Sequence, residues 1–239
     1  MGFECVTRTH VGCRRKINED ALLSRPDLGL WVVADGMGGH DAGEVASALV
    51  VETLAGFEPG LALDVLTAAA RSALADVNAQ LIAMAAAGPT QRTIGSTVVT
   101  IAADANAFAC LWAGDSRAYR VRGGDLVQLT RDHSLVQELV DAGEIHSSEA
   151  GTHPNSNIIT RAVGASAVLQ VDGVEGDVRP GDAFLLASDG LTRLVTDVEL
   201  LASLEAPDLE SAADRLLDLC LQRGAPDNVS FVMLRSPPG

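Results

Sequence analysis

Leu30-Trp31-Val32-Val33-Ala34-Asp35-Gly36-Met37-Gly38-Gly39 joins an apolar strand to an acidic, glycine-rich turn. The strand, Gly29 to Ala34, must turn sharply after Asp35, and its glycines let the backbone approach an ion or a phosphate closely. A carboxylate at such a strand end is a common way to offer oxygen to a hard divalent cation. Taken alone, the turn is equally well explained by an Asp that satisfies nearby backbone N–H groups. The pattern recurs at Asn18-Glu19-Asp20, Ser188-Asp189-Gly190 and Asp227-Asn228, spread along the whole chain. Together these motifs predict carboxylates gathered in space around Mg²⁺ or Mn²⁺, an arrangement suited to phosphate chemistry.

Outward from that turn, strands are expected at 3–7, 21–24, 97–102, 108–113, 118–121, 126–129, 168–174, 183–187 and 229–234. Gly123-Gly124 predicts a hairpin between the fourth and third of these from the chain's middle, 126–129 and 118–121. Helices are expected at 44–54, with Val45, Leu49 and Leu54 on one face, and at 61–87. In the second, Leu63, Leu66, Ala70, Leu74, Val77 and Leu81 form the apolar stripe, and Arg71, Asp76 and Asn78 fall on other faces. A short helix is expected at 132–142, ended by Gly143. Thr196 with Glu199 makes a capping box, and Asp208 caps a helix from Leu209 to Gln222. Residues 144–160 show no periodicity and read as an exposed segment. Strands and helices are grouped, which favours antiparallel sheets covered by helices over a doubly wound parallel fold.

The 239 residues are 47% hydrophobic, which suits one domain with a large core. The formal net charge of -15 argues against nucleic acid as a partner, since a phosphate backbone calls for clustered Lys and Arg. No signal peptide and no membrane-spanning run is expected. Cys5, Cys13, Cys110 and Cys220 lack CxxC spacing and read as thiols of a reducing compartment, so a cytoplasmic location is expected.

Other chemistries lack their signatures. The Asp35 turn has Met37 and Gly39 where an EF-hand needs oxygen donors, and it lacks the Gly-Lys-Ser/Thr ending of a phosphate-binding loop. There is no Gly-x-Ser-x-Gly elbow, and Ser116 lacks that setting. No His-x-x-x-His pair exists, and His10, His133 and His146 read as surface residues. A metal-activated water is the expected nucleophile, with Arg15 placed to bind phosphate ahead of Glu19 and Asp20.

In series, these residues resemble the PPM family of metal-dependent (type 2C) Ser/Thr protein phosphatases in its bacterial form. The match runs through Arg15-x-x-Asn18-Glu19-Asp20, Asp35-Gly-Met-Gly-Gly-His40, Gly95-Ser96-Thr97, Gly114-Asp115-Ser116-Arg117, Asp132-His133-Ser134, Thr160-Arg161-Ala162-Val163-Gly164, Ser188-Asp189-Gly190 and Asp227-Asn228. The resemblance implies an α+β fold, a four-layer α/β/β/α sandwich of two antiparallel sheets flanked by helices, with a binuclear metal site at one end. It implies one catalytic domain over 1–239, with a flap at about 132–164.

It further implies that Asp35 bridges two Mn²⁺ or Mg²⁺ ions and that the Gly36 carbonyl binds the first. Asp189 and Asp227 would hold the second, and Asp115 with Asp189 a weaker third. Glu19 and Asp20 would order metal-bound waters, and Arg15 would grip the phosphate. The activity implied is hydrolysis of phosphoserine and phosphothreonine in proteins by a metal-bridged water or hydroxide, reversing a cognate kinase. A small-phosphomonoester phosphatase and a catalytically silent phosphate-sensing or scaffold module are the alternatives. Met37 stands where many eukaryotic relatives carry a His thought to be the general acid, which leaves His40 as a possible proton donor. The approach Arg25-Pro26-Asp27-Leu28-Gly29-Leu30-Trp31 resembles members associated with type VI secretion.

Overall fold

The computed structural model describes residues 2–38, 42–87 and 93–237. Strands β1 (Glu4–His10), β2 (Asp20–Arg25) and β3 (Leu30–Met37) come first, then helices α1 (Ala42–Ala55) and α2 (Leu63–Ala87). The β-rich middle holds β4 (Gly95–Ser96), β5 (Val98–Ala103), β6 (Ala107–Ala113), β7 (Arg117–Arg122) and β8 (Asp125–Gln128). The short helices α3 (Leu135–Asp141) and α4 (Ser147–Ala150) precede β9 (Asp172–Asp177) and β10 (Ala183–Ala187). Helices α5 (Asp189–Thr192), α6 (Asp197–Leu204) and α7 (Leu209–Gln222) lead to the final strand, β11 (Val229–Arg235).

Among the described residues all strand pairings are antiparallel. One sheet has the order β1-β11-β10-β7-β8, and the other β2-β3-β5-β6-β9 with β4 added beside β3. The expected four layers are present because the central strands bury both faces. On β3, Leu30, Val32 and Ala34 pack with α1 and α2, while Trp31 and Val33 enter the core between the sheets. On β10, Leu185 and Ala187 face α6 and α7, while Phe184 and Leu186 meet the other sheet. Phe108 and Phe184 contact edge to face across that interior, with ring centroids 5.1 Å apart. Burying each such ring contributes about 1.5–3 kcal/mol, enough to fix the face each strand turns inward.

Several boundaries and faces differ from expectation. The last strand of the second sheet spans Asp172–Asp177, not 168–174. Leu169 and Val171 of the apolar stretch instead pack with the α1/α2 core, and Val168 is exposed. Helix α1 buries Ala46, Val50 and Leu54, whereas Val45 points to solvent. Asn78, expected on an outer face of α2, is buried: its Oδ1 accepts from Gly164 N–H and its Nδ2 donates to Ser166 O. Helix α3 starts after Ser134, whose Oγ caps Gln137 N–H, because Asp132 is held by Arg117. Within 144–160, His146 caps the single turn of α4. The Gly123-Gly124 hairpin and the Thr196 and Asp208 caps stand as expected.

Topology gathers the acidic turns. Asp20 and Asp35 are cross-strand partners in the β2–β3 register. Strand β6 ends just before Asp115, β10 just before Asp189, and β11 starts just after Asp227. All these turns lie at one end of the sandwich.

Candidate functional site

Each acidic side chain is held there by backbone contacts that its neighbours create. Asp35 N–H donates to Thr97 Oγ1 at 3.0 Å, and Thr97 N–H donates to Asp35 O at 2.8 Å. Thr97 Oγ1 also bonds Ser116 Oγ at 2.7 Å, tying the Asp35 turn to the one carrying Asp115. Gly36 N–H donates to Glu19 O at 3.0 Å, and a Cβ on Gly36 would lie 2.0 Å from Gly43 O. Only glycine fits where the turn meets the first residues of α1, so the Glu19 and Asp35 turns interlock.

Asn228 anchors the Arg15 loop. Its Nδ2 donates to Val11 O at 2.9 Å and Ile17 O at 3.0 Å, and its Oδ1 accepts from Glu19 N–H at 2.8 Å. A Cβ on Gly190 would lie 1.8 Å from Asn228 O, so glycine is what allows α5, and with it Asp189, to reach the Asp227 turn. Ser188 Oγ donates to Asp20 Oδ2 at 2.9 Å and accepts from Ser230 N–H at 3.1 Å.

The electrostatics of this cluster are unfavourable without a cation. Burial, then the Asp20, Asp189, Asp115 and Asp227 carboxylates, hold the Asp35 carboxyl well above its ordinary range. Burial, opposed by the Ser230 and Ser188 hydrogen bonds, pushes Asp20 up to about 7. Burial and then the Asp189 charge push Asp115 up to about 7. Asp189 is also raised, first by burial; Arg193 pulls it back down, and Asp227 adds repulsion.

Asp20 Oδ1 and Asp115 Oδ1 are buried without a hydrogen-bond partner among the described residues. Unpartnered buried carboxylate oxygens are costly. The donor set is all oxygen, so hard divalent cations such as Mg²⁺ or Mn²⁺ fit it. Among the described residues no three acidic, His or Cys side chains form a ready-made metal-binding group. Arginines reach into the cluster instead. Arg15 donates to Asp227 Oδ2 at 2.8 Å and lies 3.8 Å from Glu19. Arg193 Nη2 lies 2.9 Å from Asp189 Oδ2 and 3.5 Å from Asp115 Oδ2.

Residues 13–229 match the family model described as protein phosphatase 2C. This chain belongs to the protein phosphatase 2C family. It is 38% identical over 226 residues to the serine/threonine protein phosphatase PstP of Mycobacterium tuberculosis, covering 95% of this chain. The alignment spans only 43% of the length of that relative. A solved structure of PppA, a key regulatory component of the type VI secretion system in Pseudomonas aeruginosa, superposes with a TM-score of 0.90 at 43% identity and covers 98% of both chains. The catalytic domain of PstP in complex with two manganese ions superposes with a TM-score of 0.87 at 36% identity, over 98% of each chain.

The phosphatase 2C sandwich places Arg15, Glu19, Asp20, Asp35, Gly36, Asp115, Asp189 and Asp227 at the same end of the two sheets. His40 lies outside the described residues. Met37 lies beside Gly95, where an added Cβ would be 3.7 Å from Met37 Cε, and it offers no proton. His133, expected at the surface, is buried. Its Nδ1 accepts from Gly114 N–H at 3.1 Å, its Nε2 faces Asp172 at 3.1 Å, and its ring stacks on Trp112. His133 thereby fixes the turn that presents Asp115. Arg193 belongs to none of the motifs, yet its place four residues after Asp189 is the spacing of an acid–base pair on one helical turn.

Proposed function

We propose that this chain hydrolyses phosphoserine and phosphothreonine in proteins, reversing a cognate kinase. The observation that carries the reading is the convergence of Asp20 and Asp35 of the β2–β3 pair with the distant Asp115 and Asp189 into one buried cluster whose charges repel. Asp35 and the Gly36 carbonyl would hold one Mn²⁺ or Mg²⁺, and Asp35, Asp189 and Asp227 a second. Asp115 and Asp189 would take a weaker third. When bound, such ions lower the pKa of a water and offset charge on an in-line phosphoryl group. The manganese complex of PstP supports this assignment.

Glu19 and Asp20 line the site and would orient water through their carboxylates. Arg15 is half-exposed at the rim, and its fork suits a phosphate oxygen pair once released from Asp227. His40 is the proposed donor of a proton to the leaving alcohol. The catalytic domain is taken to span 1–239, with its flap at 132–164 beside the cluster. Similarity to PppA supports a type VI secretion context, and the acidic surface with its free thiols suits a cytoplasmic setting. Among the described residues no helix is long and apolar enough to cross a membrane.

The test is hydrolysis of a phosphothreonine peptide in EDTA, Mg²⁺ or Mn²⁺, beside Asp189→Asn. Turnover that requires metal and is abolished in the variant is expected. A folded protein inactive under every metal would overturn the reading.

A further inference from the structure

A small cavity of ≈ 90 Å³ separates the acid cluster from the flap, lined by Asp115, Asp189 and Arg193 on one side and by Gln137, Gly151 and Ser156 of the flap on the other. Arg193 crosses it. One end of its guanidinium faces Asp189 and Asp115. The other end donates to Asn157 Oδ1, and Nη2 also donates to Ser156 O at 3.2 Å. Both flap contacts lie in 153–158, a stretch otherwise closed by local turns such as Ser156 N–H to His153 O at 3.0 Å. The end of this stretch and the chain beyond it are tied down independently, by Leu135 N–H to Ile158 O and Thr160 N–H to His133 O.

We propose that Arg193 is an internal cation of the Asp115–Asp189 pair, and that a divalent cation there and the docked flap tip exclude one another. The inference rests on the phosphatase reading and adds to it a positioning residue outside the family motifs. Its physical basis is charge and reach. Asp115 and Asp189 are buried carboxylates that need a positive partner, and one guanidinium now serves both. A divalent cation entering between them repels that guanidinium at close range. Arg193 is 40% exposed, so it can swing to solvent. In leaving, it gives up Asn157 and Ser156, and the tip loses the side chain that ties it to the cluster. Flap position, and with it the surface offered to a phosphoprotein, would then follow occupancy of the weaker cation position.

The experiment combines Mn²⁺ uptake by equilibrium dialysis with amide hydrogen exchange of residues 153–158, on wild type and three variants. In the wild type, exchange of these amides should speed up over the Mn²⁺ range that fills the weaker position, not over the range that fills the tight ones. In Arg193→Gln, weaker uptake should tighten by about threefold to tenfold, the scale of one or two partly exposed ion pairs removed as competitors. Its flap amides should exchange fast at every Mn²⁺ level. Arg193→Lys keeps the charge and loses the fork, so uptake should stay near wild type while flap protection falls. Asn157→Ala should loosen the tip with little change in uptake. Unchanged or weaker uptake in Arg193→Gln, or wild-type flap exchange insensitive to Mn²⁺, overturns the inference while tight uptake leaves the phosphatase reading standing. Absence of tight uptake overturns both.

Discussion

Replacing Asn228 with alanine isolates the contribution of one side chain to both stability and site geometry. Asn228 is 4% exposed and its side chain makes three hydrogen bonds, to Val11 O, Ile17 O and Glu19 N–H. Each contributes about 1 kcal/mol net, and each partner left buried without a replacement costs about 1–3 kcal/mol. Water can reach part of the loop, so a destabilisation of about 3 kcal/mol is expected. For a chain of this size that corresponds to a melting point lower by roughly 6–12 °C. The measurement is urea unfolding followed by Trp fluorescence, since Trp31 and Trp112 are buried. It is run in EDTA to remove any metal linkage. The same loop carries Arg15 and Glu19, so with Mn²⁺ restored the phosphopeptide KM should rise more than kcat falls. A loss under about 1 kcal/mol at unchanged m-value would refute the claim that Asn228 anchors the loop.

The remaining predictions concern charge and close packing. Asp20 and Asp115, raised to about 7, take up protons on folding, so metal-free stability should be lost as pH rises from about 4 through about 7. Mn²⁺ should reverse that loss, and its effect on Tm should be larger at pH 8 than at pH 6. An equal Mn²⁺ shift at both values would contradict the assignment. His133 is displaced the other way, chiefly by burial, so with saturating Mn²⁺ stability should fall as pH drops below about 6.5. His133→Gln should flatten that acid limb in a Tm–pH series. Gly190→Ala would place a Cβ 1.8 Å from Asn228 O and force Asp189 away from Asp227, so circular dichroism should stay native while tight Mn²⁺ uptake is lost. Arg15→Ala should weaken phosphopeptide binding by about tenfold or more, the scale of a charge-assisted hydrogen bond of about 1.5–3 kcal/mol, read as KM.

The candidate-site carboxylates were legible because their chemistry is local: an acid, a small neighbour and a strand end can be read within five residues. The fold followed from the same economy, since Trp31-Val32-Val33 and Phe184-Leu185-Leu186 carry apolar side chains on both strand faces. What stayed hidden depends on partners far along the chain. Asn78 looks like one polar residue of a helix, and only Gly164 and Ser166, 86 and 88 residues on, give it a reason to be buried. His133 has no local sign of burial either; Gly114, Trp112 and Asp172 converge on it after folding. The shifted β9 follows the same logic, because Leu169 and Val171 are claimed by the α1/α2 core and the ladder begins only at Asp172. Arg193 combines both cases. Its pairing with Asp189 is a four-residue spacing that local inspection can find, while its pairing with Asn157 is tertiary and gives the first its consequence. Motifs alone therefore do not describe this site: the acids mark where it lies, while Arg193, outside the motifs, joins Asp189 to Asn157 of the flap.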